Sequence, residues 1–133
     1  MIDSKILEFA QDISSYGLKN TSKKFASIKN KKCGDKIKVE LEVKNKIIKN
    51  MRYETESCIF CQASASVLSN FSINNKISNI DKAINFFETF FQNDETKIPK
   101  EFKKFKVLFH KSNLSRKECI LLPFKALNKA LKS

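Results

Sequence analysis

The chain has no tryptophan, two glycines, two prolines, one histidine and, of its 26 basic residues, only two arginines, Arg52 and Arg116. The arginine shortage carries the first exclusion. Bidentate recognition of phosphates and base edges selects arginine, so the formal charge of +12 reads as a solvated lysine surface rather than a nucleic-acid footprint. Attraction of an acidic partner protein is the second use of such a charge. Abundant lysine, asparagine, isoleucine and phenylalanine beside scarce glycine and proline is what AT-rich codon usage produces. No stretch approaches the ~20 apolar residues of a membrane span. The opening Met1-Ile2-Asp3-Ser4-Lys5 carries an acid early and has no sustained apolar run, so no signal peptide is expected. The expectation is a soluble, cytoplasmic chain. In that reducing setting four cysteines are metal ligands or reactive thiols rather than a disulfide framework. With no internal repeat and no low-complexity linker, residues 1–133 read as one domain, large enough to bury a core.

Ile2, Ile6, Phe9, Ala10 and Ile13 recur at helical spacing, which predicts an amphipathic helix ending near Gly17. Residues 18–32 are polar and read as a loop with one short strand. From Asp35 the period becomes two. Ile37, Val39, Leu41 and Val43 alternate with charged residues, Lys44-Asn45-Lys46 makes a tight turn, and Ile47, Lys49, Met51 and Tyr53 continue as a second strand. Beyond Cys58 the pattern is helical: Gln62 to Phe71, then Ile80 to Phe91 with Ser78 as N-cap, then Glu101 to Lys111. A last helix runs from Leu114 or Ser115 to Leu131, with Pro123 kinking it or delaying its start. Strands first and helices afterwards means α+β: a small antiparallel sheet, hairpin plus a third strand, against an N-terminal helix and several C-terminal helices. The phenylalanines between 86 and 109 lie at helical spacing and read as core, not as a binding groove.

What is present is a scatter of ligand-type residues: Cys33-Gly34-Asp35, Cys58, and Arg116-Lys117-Glu118-Cys119. Residues just outside the open end of a hairpin are neighbours, so Cys33 and Asp35 should meet Cys58, with Cys119 brought in by the start of the last helix. Three sulfurs and one oxygen near the surface suit zinc, and they suit an iron–sulfur cluster. A carboxylate is a poorer partner for thiophilic iron than a fourth thiolate, so a cluster held this way should be readily released. Arg116, before Cys119, is placed to offset the negative charge of the donors and to favour thiolate. Cys61 makes Cys-x-x-Cys with Cys58, an alternative ligand pair or redox couple. Its place inside a helix favours a buried, inert thiol. His110 has no motif around it and reads as solvated or packing.

At Cys33-Gly34-Asp35, the Cys58-x4-Ala63-Ser64-x-Ser66 segment and Arg116-x-x-Cys119 the chain resembles the NifU N-terminal/IscU/SufU family of iron–sulfur cluster assembly scaffolds. The long interval from Cys58 to Cys119 and Glu118 in place of a histidine bring it closest to the SufU branch. The resemblance implies zinc bound by Cys33, Asp35, Cys58 and Cys119, a SufS-like cysteine desulfurase as partner, and recipient apoproteins. It implies scaffolding of a transient, labile cluster or zinc-dependent acceptance of persulfide sulfur, with Cys33 and Cys119 as the candidate acceptors. The chain departs from the family in having Lys31-Lys32 where proline is usual, Thr55-Glu56-Ser57 where glycines flank the second motif, and no Leu-Pro-Pro-Val segment. Two other readings compete: a closed zinc site that only staples the fold, and a basic zinc-stapled module that binds nucleic acid.

Overall fold

The computed structural model describes residues 3–92 and 97–133; Ile2 of the first helical stripe lies outside them. Helix α1 (Ser4–Gln11) is capped by Asp3, whose carboxylate accepts from the Lys5 amide at 2.8 Å. Ile6 is buried and Phe9 and Ala10 pack on the core. The helix stops at Gln11, short of the expected Gly17, because Asp12 turns its carboxylate onto the Ser14 amide at 3.0 Å. That local bond competes with helix continuation. Ile13, expected on the apolar face, is left 71% exposed.

Strands β1 (Lys24–Lys29), β2 (Lys36–Lys44), β3 (Ile47–Glu56) and β4 (Asn75–Lys76) form one antiparallel sheet in sequence order. The expected β2–β3 hairpin is present, but a register shift between Glu42 and Val43 breaks the alternation expected along Ile47, Lys49, Met51 and Tyr53. Ile48 is buried with Met51 and Tyr53 while Lys49 is exposed. The hairpin's turn residues Asn45 and Lys46 both hold positive φ, 54° and 62°, as a two-residue hairpin loop requires. At the other end Lys36 pairs with Glu56. The short strand expected within 18–32 is β1, and it pairs Lys29 with Lys36. Residues 30–35 therefore form the loop of a second hairpin. Ile37, Val39 and Leu41 face inward and are buried. On the opposite face the 12–23 segment is tied down by Glu40, which is buried and accepts from the Lys19 and Asn20 amides at 2.7 and 3.0 Å. Arg52 donates to the Tyr16 and Gly17 carbonyls beside it.

Helix α2 (Ile59–Ser72) starts before the expected Gln62 and is buried on most sides. Its run Ala63-Ser64-Ala65-Ser66 is small enough for neighbours to approach closely, and it packs on α1, β3 and α4 (Lys117–Leu131). Helix α3 (Ile77–Glu88) is preceded by Lys76 as N-cap rather than Ser78. The phenylalanines are core as expected: Phe87, Phe90, Phe102, Phe105, Phe109 and Phe124 are buried, with Phe87 stacked on Phe109 at 4.0 Å between ring centres. The helix expected over 101–111 is instead a 3-10 helix at Lys100–Phe105, a turn, and a second 3-10 helix at Lys111–Arg116. Apolar residues three apart (Phe102, Phe105, Leu108) share a face in a 3-10 helix as well as in an α-helix, so the spacing did not separate the two.

Helix α4 runs through Pro123 rather than starting after it. A proline removes the amide that would serve the carbonyl of residue 119 and loosens the turn around it. In that turn the Ile120 carbonyl, next to the one left without its helical donor, receives the Ser64 hydroxyl at 2.6 Å, which ties α2 to α4. The architecture is α+β. Among the described residues no helix is long and apolar enough to cross a membrane.

Candidate metal centre

Three backbone devices bring the donors to one end of α2. The first is the 30–35 loop. The Asn30 amide donates to the Asp35 carbonyl and the Gly34 amide to the Asn30 carbonyl, both at 2.8 Å, which closes the loop and projects Cys33 and Asp35 from it. Gly34 sits at φ 78°, a left-handed conformation that costs side-chain-bearing residues about 1–2 kcal/mol. A Cβ there would meet nothing within 4 Å, so conformation, not space, calls for glycine. The second device is the N-terminus of α2, where Cys58 is the N-cap residue without a side-chain capping bond. The third is the N-terminus of α4, where Cys119 lies in the first turn. Both helix ends carry partial positive charge that favours thiolates.

The ligand atoms of Cys33, Asp35 and Cys119 all lie within 4.8 Å of one another. Cys58 stands outside that closest group, and its thiol is a hydrogen-bond neighbour of Cys119. Cys33 is exposed, Cys58 is half-buried, and Asp35 and Cys119 are buried at 7% exposure each, so the cluster opens to solvent on the Cys33 side. Burial pushes the Cys119 thiol well above its ordinary range, and the adjoining Cys58 and Asp35 push it further. Without a cation this corner holds its proton. A bound metal reverses that preference by replacing the proton with positive charge.

The donor set fits a thiophilic ion. A tetrahedral ion with bonds of about 2.0–2.3 Å places its ligands about 3.3–3.8 Å apart, so the three donors need contract by only about 1 Å. Asp35 Oδ2 is buried and has no hydrogen-bond partner, a costly arrangement for a carboxylate oxygen that a cation would relieve.

The supporting residues were not foreseen. Thr55 donates to the Lys36 carbonyl at 2.6 Å and bonds Ser57 at 2.7 Å, while Gln62 donates to the Ser57 carbonyl at 2.9 Å. These side chains brace the approach to Cys58, and residues 55–57 need no positive φ. The missing glycines are thus replaced by hydroxyl bonds, for which the signal is a Thr-x-Ser run before a helix N-cap. Arg116 is the N-cap residue of α4, and its guanidinium lies 5.5 Å from the centre of the Phe60 ring. It clips the start of α4 to the first turn of α2, linking the two helix ends that carry thiols.

Cys61 is fully buried and its thiol is pushed up to about 12 by burial, as suits the inert thiol expected there. His110 is exposed and accepts from the Ser112 amide at 3.1 Å, capping the second 3-10 helix, far in role from a ligand.

Fold and donor set define a class: a small α+β domain with a surface cluster of thiols and one carboxylate able to hold a thiophilic ion. Comparison with known proteins places it further. The chain belongs to the NifU-like N-terminal domain family, whose model matches residues 1–111. That match contains Cys33, Asp35 and Cys58, and the tertiary structure supplies Cys119. An iron–sulfur cluster assembly scaffold protein IscU of Thermotoga maritima is 28% identical over 136 aligned positions, covering 99% of this chain and 93% of that protein. An uncharacterised protein of Borreliella burgdorferi is 35% identical over 77% of this chain and 70% of its own length. Among solved structures, an N-terminal NifU-like protein of Brucella abortus superposes with a TM-score of 0.88 at 21% identity, covering 98% of this chain and 91% of that one. A candidate iron–sulfur cluster assembly scaffold for the SUF system of Fervidobacterium islandicum does so with 0.84 at 20% identity, covering 95% and 93%. At those identities the two structures speak for the fold.

Proposed function

We propose that this protein is an iron–sulfur cluster assembly scaffold of the SufU branch, acting at Cys33, Asp35, Cys58 and Cys119 as a cluster holder, a zinc-dependent sulfur acceptor, or both in turn. The observation that carries the reading is the convergence of Cys33, Asp35 and Cys119 within 4.8 Å, around a buried carboxylate oxygen with no partner. Family membership and the scaffold relative of Thermotoga maritima support it.

Cys33, Asp35, Cys58 and Cys119 would hold the ion, and zinc there would supply a positive charge that keeps the thiols ionised. The chain's own residues do the rest. Exposed Cys33 is the accessible acceptor, and Cys119 is the alternative, reached once a partner opens the site. A thiolate attacks the outer sulfur of a donor's cysteine persulfide. A new S–S bond forms on the acceptor, the donor's S–S bond breaks, and the electron pair leaves on the donor cysteine as thiolate. The persulfide proton travels with the transferred sulfur, and no net oxidation occurs. The donor is a cysteine desulfurase of the SufS type, the cluster is cargo passed to recipient apoproteins, and the setting is the cytoplasm.

Arg52 is spent on the Tyr16 and Gly17 carbonyls and Arg116 on Phe60, so the two arginines favour no phosphate-reading surface.

The test uses zinc-loaded protein with a SufS-type desulfurase and labelled cysteine. Expected are stimulation of the desulfurase, or label on the protein lost in Cys33→Ser or Cys119→Ser, or a cluster on reconstitution. Absence of all three overturns the proposal.

A further inference from the structure

Away from the thiols, the 3-10 segment builds a second surface feature. A groove of about 740 Å³ is floored by Phe90, Phe91, Ile98 and Phe109 and ends at Leu114. Its rim is formed by Lys97, Lys100, Lys103, Lys106 and Lys111, and no carboxylate lines it among the described residues. All five lysines are exposed. Among the described residues the ion pairs join Lys36 to Glu56 and Lys125 to Glu118, and neither involves a rim lysine. Leu114 is 51% exposed at the groove's end. A solvated lysine face does not account for an apolar floor beneath it.

The spacing of the rim is set by the local backbone. Lys100 and Lys103 lie on either side of a kink at Phe102 (φ −108°, ψ 17°) and Lys106 follows at the C-cap, so exposed lysines recur at every third residue along the rim. Acidic residues at i and i+4 of an α-helix recur about 6 Å apart along its axis. The opposite face of such a helix presents the apolar stripe that the phenylalanine floor would take.

We propose that this groove docks an acidic amphipathic helix of a partner protein. The rim attracts the helix and sets its register, and the floor with Leu114 supplies the apolar contact. A small-molecule site would converge buried polar groups on its ligand; here every charged lining residue is exposed. A single-stranded nucleic acid would stack on a row of open rings. Of the floor rings Phe91 alone is half-buried, with Phe90 and Phe109 at 8% and 2% exposure, so the apolar surface open to a partner comes from Phe91, Ile98 and Leu114. Leu114 is five residues before Cys119, so a docked helix lies within about 18 Å of the thiol cluster along the chain. The groove thus offers a partner an anchor that is close in the chain to Cys119. The inference stands on the groove and does not require the scaffold reading.

Fluorescence anisotropy tests it with a labelled synthetic helix carrying Leu and Phe on one face and Glu at i, i+4 on the other. Expected is saturable binding that weakens with salt. It should weaken about tenfold or more in the triple variant Lys100→Glu, Lys103→Glu, Lys106→Glu, and several-fold in Leu114→Ala. Circular dichroism checks that both exposed-site variants keep the fold. No saturable binding, wild-type affinity in both variants, equal binding of a peptide with Leu and Phe replaced by Ala, or tighter binding of a single-stranded oligonucleotide at the same lysines each overturns the proposal.

Discussion

The two ends of α2 are built by opposite means. At its N-terminus, backbone geometry places small polar side chains: a left-handed glycine and the start of α4 bring Cys33, Asp35 and Cys119 together, and the braced start of α2 sets Cys58 beside Cys119. At its C-terminus, side-chain volume governs. Phe71 packs edge-on against Phe102 and Phe105, with ring centres 5.8 and 5.2 Å away, and the backbone of the 98–116 segment follows the rings. The first end gathers thiols around a buried carboxylate oxygen that has no partner, while the second is lined by phenylalanine rings and buries the unpartnered Ser72 hydroxyl. Stability and chemistry are therefore held apart, so changes at one end should move one property with little effect on the other.

The largest effect is expected from Phe87→Ala. Phe87 is fully buried and touches six other rings, and truncation should cost about 3–5 kcal/mol. Urea unfolding measures it, and metal bound per folded molecule should be unchanged. A proportional loss of metal from the folded fraction would merge the two ends.

Asp35→Ala should do the reverse. Zinc affinity, measured by competition with a chelator, should fall tenfold or more, about 1.4 kcal/mol. The midpoint of thermal unfolding of the metal-free protein should not fall, since a buried unpartnered oxygen is removed. Unfolding of the metal-free variant would favour a structural staple.

Gly34→Ala tests the backbone device directly. Forcing a side-chain-bearing residue to φ 78° should cost about 1–2 kcal/mol and weaken zinc binding as the loop relaxes. A variant with wild-type zinc affinity would show that loop conformation does not aim Cys33 and Asp35.

The smallest effect concerns pH and the core behind the site. Burial raises the Tyr53 hydroxyl to about 12 and the Cys61 thiol to about 12, above ordinary values of 10.0 and 9.0. The unfolded chain then ionises before the folded one. Stability should be level below pH 9 and decline as pH rises from about 9 to about 12. Phenylalanine at Tyr53 should flatten the upper part of that decline in pH-dependent urea titrations.

Much of this was legible in the residues. The β2–β3 hairpin was readable because a period of two over nine residues matches one strand geometry only. Its closed end was readable because Asn45 tolerates positive φ. The hairpin's open end pointed to Cys33 and Asp35 meeting Cys58, whereas the closest group is Cys33, Asp35 and Cys119, because the docking of α4 decides which thiol approaches. Other elements were not readable. Ile13 continued a helical stripe that Asp12 ended by a bond two residues away. The spacing of Phe102, Phe105 and Leu108 fitted two helix types, and only the neighbouring rings chose between them. The partners of Thr55, Ser57 and Ser64 could not be read, since a hydroxyl's partner depends on which carbonyl the fold brings near.

The sequence by itself determined the α+β class, the main hairpin and its turn, and the aromatic composition of the core, because periodicity and turn chemistry are local properties. The tertiary structure alone decided that the 30–35 loop closes a second hairpin, that Ser64 bonds the Ile120 carbonyl, that Arg116 rests on Phe60, and that a lysine-rimmed groove opens over the phenylalanines. The helix contacts among these join residues more than fifty positions apart. Their partners are chosen by packing, which buries apolar area first and leaves polar groups to find what lies within reach.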